Sequence, residues 1–169
     1  MSAQLTFFTI GHGTAELDVL FKVLAAQTVD ILVDVRSSPY SRYVPQANRE
    51  ILSAAAQRHG VRYVFLGAEL GGRPADQTMM LPNGKPDYTE MAATESYRRG
   101  IEALAGLADG HRVCLMCSEE DPANCHRTLL VSETLVGQGH NVLHIRHDGH
   151  VETHAQVVNR RSGGQLALF

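Results

Sequence analysis

Five short apolar runs, each separated from the next by a stretch with helical spacing, leave this chain few folds to adopt. The runs cover residues 5–10, 31–35, 61–66, 112–117 and 141–146. Ile31-Leu-Val-Asp-Val35 shows no apolar–polar alternation, as expected of a parallel strand covered on both faces. After the first run, Leu17, Leu20, Phe21 and Leu24 repeat at i, i+3, i+4 and i+7, with Thr14 as the expected N-cap. Residues 48–59 read as a second helix, with Ile51, Leu52, Ala55 and Ala56 inward and Gly60 as its stop. Residues 88–108 predict a third helix, broken near its start, with Tyr97, Ile101, Leu104 and Leu107 as its core stripe. A fourth spans 126–136, ended by Gly137-Gln-Gly139, and a short fifth spans 153–160 after a turn at 147–149. This β-α alternation predicts a single-domain, three-layer open α/β sheet, Rossmann-like and mostly parallel, with about five strands and right-handed crossovers. The domain is expected to span residues 1–160, with 161–169 as a flexible tail.

Residues 67–87 break the pattern. Gly67, Gly71, Gly72, Pro74, Pro82, Gly84 and Pro86 are too many breakers for regular structure. A loop this long in a compact domain is expected to serve as a lid or binding loop.

Reactive side chains gather at one strand-to-helix turn. The fourth run ends on Cys117, Glu119 follows, and Cys125, His126 and Arg127 open the next helix. In a doubly wound sheet of order 3-2-1-4-5, strands one and four are neighbours, so His12 and Cys117 lie at one switch point. Strand two would deliver Asp34, Arg36 and Ser38 to the same crevice. The positive end of the helix, with Arg127 or Arg36, favours a Cys117 thiolate, a nucleophile with His126 or His12 as proton carrier. Arg127 and Arg36 are the expected clamps for an anion, helped by Ser37, Ser38 and the helix N–H groups beside Cys125. Asp34 and Glu119 read as acid–base groups or as orienters of an arginine. Each has a plainer reading: Cys117 as a small buried residue at a strand end, the helix start as a solvated cap, the carboxylates as structural ion pairs. Cys114 lies inside the strand, facing away from Cys117, and is expected to be structural.

Other classes lose their signatures. Gly11-His-Gly13 lacks the third glycine of a dinucleotide fingerprint, and there is no Walker motif, no Gly-x-Ser-x-Gly elbow and no Cys-x5-Arg loop. Cys117, Cys125, His126 and His12 could supply four zinc ligands, or the two cysteines a redox pair. The spacing lacks the short paired ligands of a zinc ribbon or finger, so no metal or cofactor is expected. With 15 basic and 18 acidic residues, a net charge of −3 argues against a broadly basic nucleic-acid surface. Three cysteines and no export signal or long apolar span predict a soluble protein of a reducing cytosol.

Five blocks in order give a family resemblance: Thr9-Ile-Gly-His12; Leu32-Val-Asp-Val-Arg36 with Pro39; Leu66-Gly-x-x-Leu-Gly-Gly72; Cys117-x-Glu119 with Cys125-His-Arg127; and His144-Ile145. Together they resemble the bacterial and archaeal family called domain of unknown function 488. The resemblance implies an α/β fold with polar motifs at the strand ends, and no particular reaction. Separately, Gln165-Leu-Ala-Leu-Phe169 is similar to the short peptide by which bacterial replication and repair proteins dock on the polymerase sliding clamp. Gly163-Gly164 would be the leash, with Gln165, Leu166, Leu168 and Phe169 as anchors; packing of this tail on its own domain is the alternative. The combined expectation is a cytosolic enzyme for an anionic, phosphate- or nucleotide-like substrate, with Gly71 and Gly72 of the covering segment also in the site. A non-catalytic anion-binding module and a metalloprotein are the alternatives.

Overall fold

Val113-Cys-Leu-Met-Cys117 is apolar throughout, and the chain places it at the centre of the sheet. The computed structural model describes residues 3–163. Its strands are β1 (Thr6–Gly11), β2 (Ile31–Asp34), β3 (Arg62–Phe65), β4 (Val113–Cys117), β5 (Asn141–Ile145) and β6 (Val151–Thr153). They form one sheet of order β3-β2-β4-β1-β5-β6, parallel except for β6, which pairs antiparallel with β5.

The expected order 3-2-1-4-5 is thus corrected in one respect: β4 stands between β2 and β1. The crossover from β1 to β2 skips one place, and β4, buried at all five positions, fills it. Strands β1 and β4 remain neighbours, with Gly11 beside Cys117. The sixth strand is new; its three residues close a hairpin on the expected turn, where Gly149 has φ 87°.

Side chains alternate between two cores, as strand geometry requires. Val113, Leu115 and Cys117 face one core with Phe7 and Val33; Cys114 and Met116 face the other with Phe8 and Leu32. Helices α1 (Leu17–Ala26) and α2 (Arg49–Arg58) cover the second face through Leu20, Phe21, Leu24, Leu52, Ala55 and Ala56. Ile51, expected inward, is 46% exposed: the helix turns only the Leu52 stripe to the sheet. Helix α1 begins after Glu16, two residues beyond the expected Thr14 cap. The first face is covered by the one-turn α3 (Gly67–Leu70), α4 (Tyr88–Ala92), α5 (Glu95–Ala108) and α6 (Glu133–Gly137). The break expected in the third helix falls between α4 and α5, where the Thr94 side chain caps α5.

The expected helix 126–136 is wound differently. Arg127–Ser132 forms a π-helical stretch ahead of α6. The Ser132 hydroxyl donates to the Arg127 carbonyl, and the Thr134 hydroxyl donates to the Leu130 carbonyl, so side chains satisfy backbone groups that regular winding would pair. Helix α7 (His154–Arg161) follows β6 directly with a capping box at Thr153 and Gln156.

A polar chain runs through the first face. Glu133 can only accept, so His154 Nε2–H donates to it at 3.0 Å, and His154 Nδ1 shares a hydrogen bond with His144 Nε2 at 3.2 Å. His144 Nδ1 in turn shares a hydrogen bond with the Thr9 hydroxyl at 2.6 Å. Burial, with the Arg127 charge nearby, pushes His144 down to about 3. Among the described residues, no helix is long and apolar enough to cross a membrane.

Candidate active site

The C-terminal ends of β2 and β4 converge on a cavity of about 540 Å³. Its walls come from the Arg36–Ser38 loop and Tyr40 and Ser41 after β2, from Cys117, Ser118 and Glu119 after β4, and from Asn124, Cys125 and His126. Gly72, Arg73, Pro86 and Tyr88 close the remaining side. Segment 67–87 is therefore a wall rather than a full cover.

Close approaches that only glycine permits shape this site. A Cβ on Gly11 would lie 1.5 Å from the Glu119 carbonyl oxygen, so the loop after β4 rests directly on the end of β1. A Cβ on Gly71 would meet Ser37 Oγ at 2.3 Å, and one on Gly72 the His126 ring at 2.6 Å. The roles expected for these two glycines change accordingly. Gly72 lines the cavity by pressing its backbone on His126, whereas Gly71 packs beneath Ser37 and does not line it.

Cys117, Cys125 and His126 come together at the floor, respectively 6%, 3% and 9% exposed. His126 Nε2–H donates to the Val35 carbonyl at 2.9 Å, which leaves Nδ1 as a lone pair aimed at the thiols. Cys117 Sγ is 3.4 Å and Cys125 Sγ 3.9 Å from that nitrogen. The Cys117 thiol is held down to about 7, first by the adjoining Cys125 thiol, then by the Arg127 charge and the Ser118 and Glu119 N–H groups, against the opposing effect of burial. Cys125 moves the other way, pushed up by the Cys117 sulfur and by burial. Cys114 lies on the opposite face, as expected.

Asp34 and Arg36 form a buried, two-pronged pair, with Nε to Oδ1 at 2.9 Å and Nη2 to Oδ2 at 2.8 Å. Tyr63 donates its hydroxyl to the same carboxylate, and the Ala47 carbonyl takes a further Arg36 N–H. Asp34 thus orients Arg36 and does not line the cavity; Arg36, Ser37 and Ser38 do. His12 donates Nδ1–H to the Gly13 carbonyl at 2.8 Å and accepts from Arg36 Nη1 at 3.2 Å. Burial keeps it below the usual histidine range. His12 therefore steadies Arg36, and its expected place beside Cys117 as proton carrier or fourth metal ligand is not borne out.

Arg127 is also corrected. It is wholly buried, donating to the Glu119 carbonyl at 2.7 Å and the Glu120 carbonyl at 3.1 Å, and it lies beneath the cavity rather than in it. Its charge reaches Cys117 through the loop it holds. Glu119 lines the mouth and is exposed. Glu120 turns outward to Arg146, at 2.7 and 3.0 Å; Arg146 also pairs with Glu152 at 3.0 Å. Arg160 closes the network on Glu152 and Asp121, at 3.0 and 2.9 Å. This anchorage, and the wall residues Arg73 and Tyr88, were not expected from the sequence; Arg73 and Tyr88 stand where the breaker-rich segment and its following helix could have suggested them.

A family model described as "Domain of unknown function DUF488" matches residues 16–134. The chain belongs to the DUF488 family. No curated protein and no solved structure gives a significant match. The DUF488 match takes in Asp34, Arg36, Gly72, Cys117, Glu119, Cys125 and His126, and leaves His12, β5, β6 and α7 outside it. The family resemblance thus holds, resting on the three sequence blocks inside the matched stretch; the blocks at Thr9–His12 and His144–Ile145 lie beyond it.

Proposed function

We propose that this DUF488 protein is a cysteine-dependent hydrolase or transferase for a small anionic substrate of phosphate- or nucleotide-like character. One observation carries the reading: Cys117 Sγ stands 3.4 Å from His126 Nδ1, whose other nitrogen is committed to the Val35 carbonyl. That is the geometry of a nucleophile and its base, with the base oriented by a third group. His126 takes the thiol proton as sulfur attacks the electrophilic centre, and returns it to the leaving group as that bond breaks. A water deprotonated by His126, or an acceptor hydroxyl, then cleaves the sulfur-bound intermediate and restores the thiol. The exposed Arg73 and the Ser37, Ser38, Ser41 and Ser118 hydroxyls balance the substrate's charge, with the Arg36 cation in the wall beside them. Glu119, at the mouth, is placed to orient the substrate or exchange protons with solvent. The three cysteines are free thiols, which suits work in a reducing cytosol.

Cys117→Ser should abolish turnover of phosphorylated or acylated test compounds, and His126→Asn should lower kcat by about 10²–10⁴-fold. At pH 7, iodoacetamide should label Cys117 ahead of Cys114 and Cys125, read by peptide mass mapping. Full turnover by the Cys117→Ser protein would refute the assignment. Saturable phosphate binding with no turnover of any compound would make the protein an anion-binding module instead.

The proposed partner contact lies outside the described residues. Gln165, Leu166, Leu168 and Phe169 match the sliding-clamp peptide in sequence. Removal of residues 165–169 should eliminate binding to an immobilised clamp, and no binding by the full chain would dismiss the partner.

A further inference from the structure

We propose that Cys117, Cys125 and His126 form a binding site for Zn²⁺, with three protein ligands and a fourth position open to the cavity. The two sulfurs and the imidazole nitrogen all lie within 4.8 Å of one another, and all three residues are buried. A tetrahedral zinc with Zn–S of about 2.3 Å and Zn–N of about 2.05 Å sets its ligands about 3.8 Å apart for S···S and about 3.6 Å apart for S···N. The two S···N separations here, 3.4 and 3.9 Å, bracket that value, and the sulfurs lie within 4.8 Å of each other, so side-chain rotation can bring all three donors onto one ion.

The surroundings suit the ion. The Val35 carbonyl accepts His126 Nε2–H, which fixes the tautomer with Nδ1 free and strengthens it as a donor. Gly72 presses on the His126 ring and holds its plane. Thiolate and imidazole donors select Zn²⁺ over the harder Mg²⁺ or Ca²⁺. All three residues border the cavity, so an open fourth position would be reached from it. The set departs from ribbon and finger spacing because one ligand ends a strand and the other two begin the next helical element. Binding converts two thiols to zinc thiolates and releases two protons to solvent per ion.

Occupancy would also silence the nucleophile, since the Cys117 electron pair is then shared with the metal. That regulatory consequence, unlike the site itself, rests on the cysteine mechanism proposed above.

The test uses the full chain, stripped with a chelator and titrated with Co²⁺ and then with Zn²⁺. One equivalent of Co²⁺ should produce thiolate-to-metal charge transfer in the near ultraviolet and the intense visible bands of a tetrahedral centre, and Zn²⁺ should erase both. Cys125→Ser and His126→Asn, each checked for folding by circular dichroism, should weaken binding by at least about tenfold. Cys114→Ala should bind unchanged. Absence of the cobalt spectrum in the native sequence, or its persistence at full affinity in both ligand variants, overturns the site. Zinc protection of Cys117 from iodoacetamide should follow metal occupancy. Tight metal binding together with full turnover by Cys117→Ser would retain the site and reject the nucleophile; turnover lost in Cys117→Ser without any cobalt spectrum would do the reverse.

Discussion

Asp34→Ala should destabilise the protein by about 3–5 kcal/mol, the usual cost of stripping one partner from a buried ion pair. Asp34 is wholly buried and Arg36 is 3% exposed. Its carboxylate accepts from two nitrogens of the Arg36 side chain, from the Arg36 backbone N–H and from the Tyr63 hydroxyl. Without it, the guanidinium keeps only the Ala47 carbonyl and His12 as partners, out of reach of bulk water. Against a total stability of about 5–15 kcal/mol, this is a large fraction. Urea unfolding provides the measurement, and a loss below about 1 kcal/mol would mean that water reaches the pair. The paired change Asp34→Leu with Arg36→Met removes both charges and should recover much of the loss, because the penalty belongs to the orphaned cation rather than to the missing bond. The recovered fold should still lose phosphate affinity, because Arg36 no longer faces the cavity.

Acid should unfold the protein early, and His144 should account for much of the slope. Its folded-state value lies at about 3, well below the ordinary histidine value of 6.5. The unfolded chain therefore takes up a proton that the folded chain refuses throughout that interval. Stability is fully present above the unfolded value and is lost as pH falls toward the folded one, at about 1.4 kcal/mol per pH unit. Between pH 6.5 and 4.5 this single group removes roughly 2–3 kcal/mol. His144→Asn keeps a partner for the Thr9 hydroxyl and deletes the titration. Its urea midpoints should fall less steeply with acid than those of the native sequence; parallel curves would show that other groups carry the acid response.

The sequence made the strands legible because burial on both faces writes itself as unbroken apolar runs, as at Ile31–Val33 and Val113–Cys117. It also showed that Cys117 ends such a run and that Cys125 and His126 begin the next element. Strand order was another matter. Apolarity reports how deeply β4 is buried, not which strands flank it, and the displacement of β2 from β1 follows from that missing information. Arg127 departs from its sequence expectation for a related reason. Beside Cys-His it looks like an anion clamp, but its place is decided by Gly11 on a distant strand, where the missing Cβ lets the loop carbonyls settle over the guanidinium. Proximity of strand ends points His12 toward the thiol, whereas the Gly13 carbonyl and Arg36 claim both its nitrogens. Tyr63 carried no signal, since its tie to Asp34 depends on the β2–β3 register. The three-residue β6 is too short for any period to show.

The network running from Glu120 and Asp121 through Arg146 and Glu152 to Arg160 bears on where this protein can be cut. The family match stops at residue 134, yet two acidic residues of the reactive loop are moored to the chain beyond it. A fragment trimmed to the matched boundary keeps both thiols and the imidazole but loses the abutment against which their loop is braced. Residues 141–161 therefore serve the cavity as masonry serves an arch: they touch nothing that reacts, and they carry the thrust of the part that does.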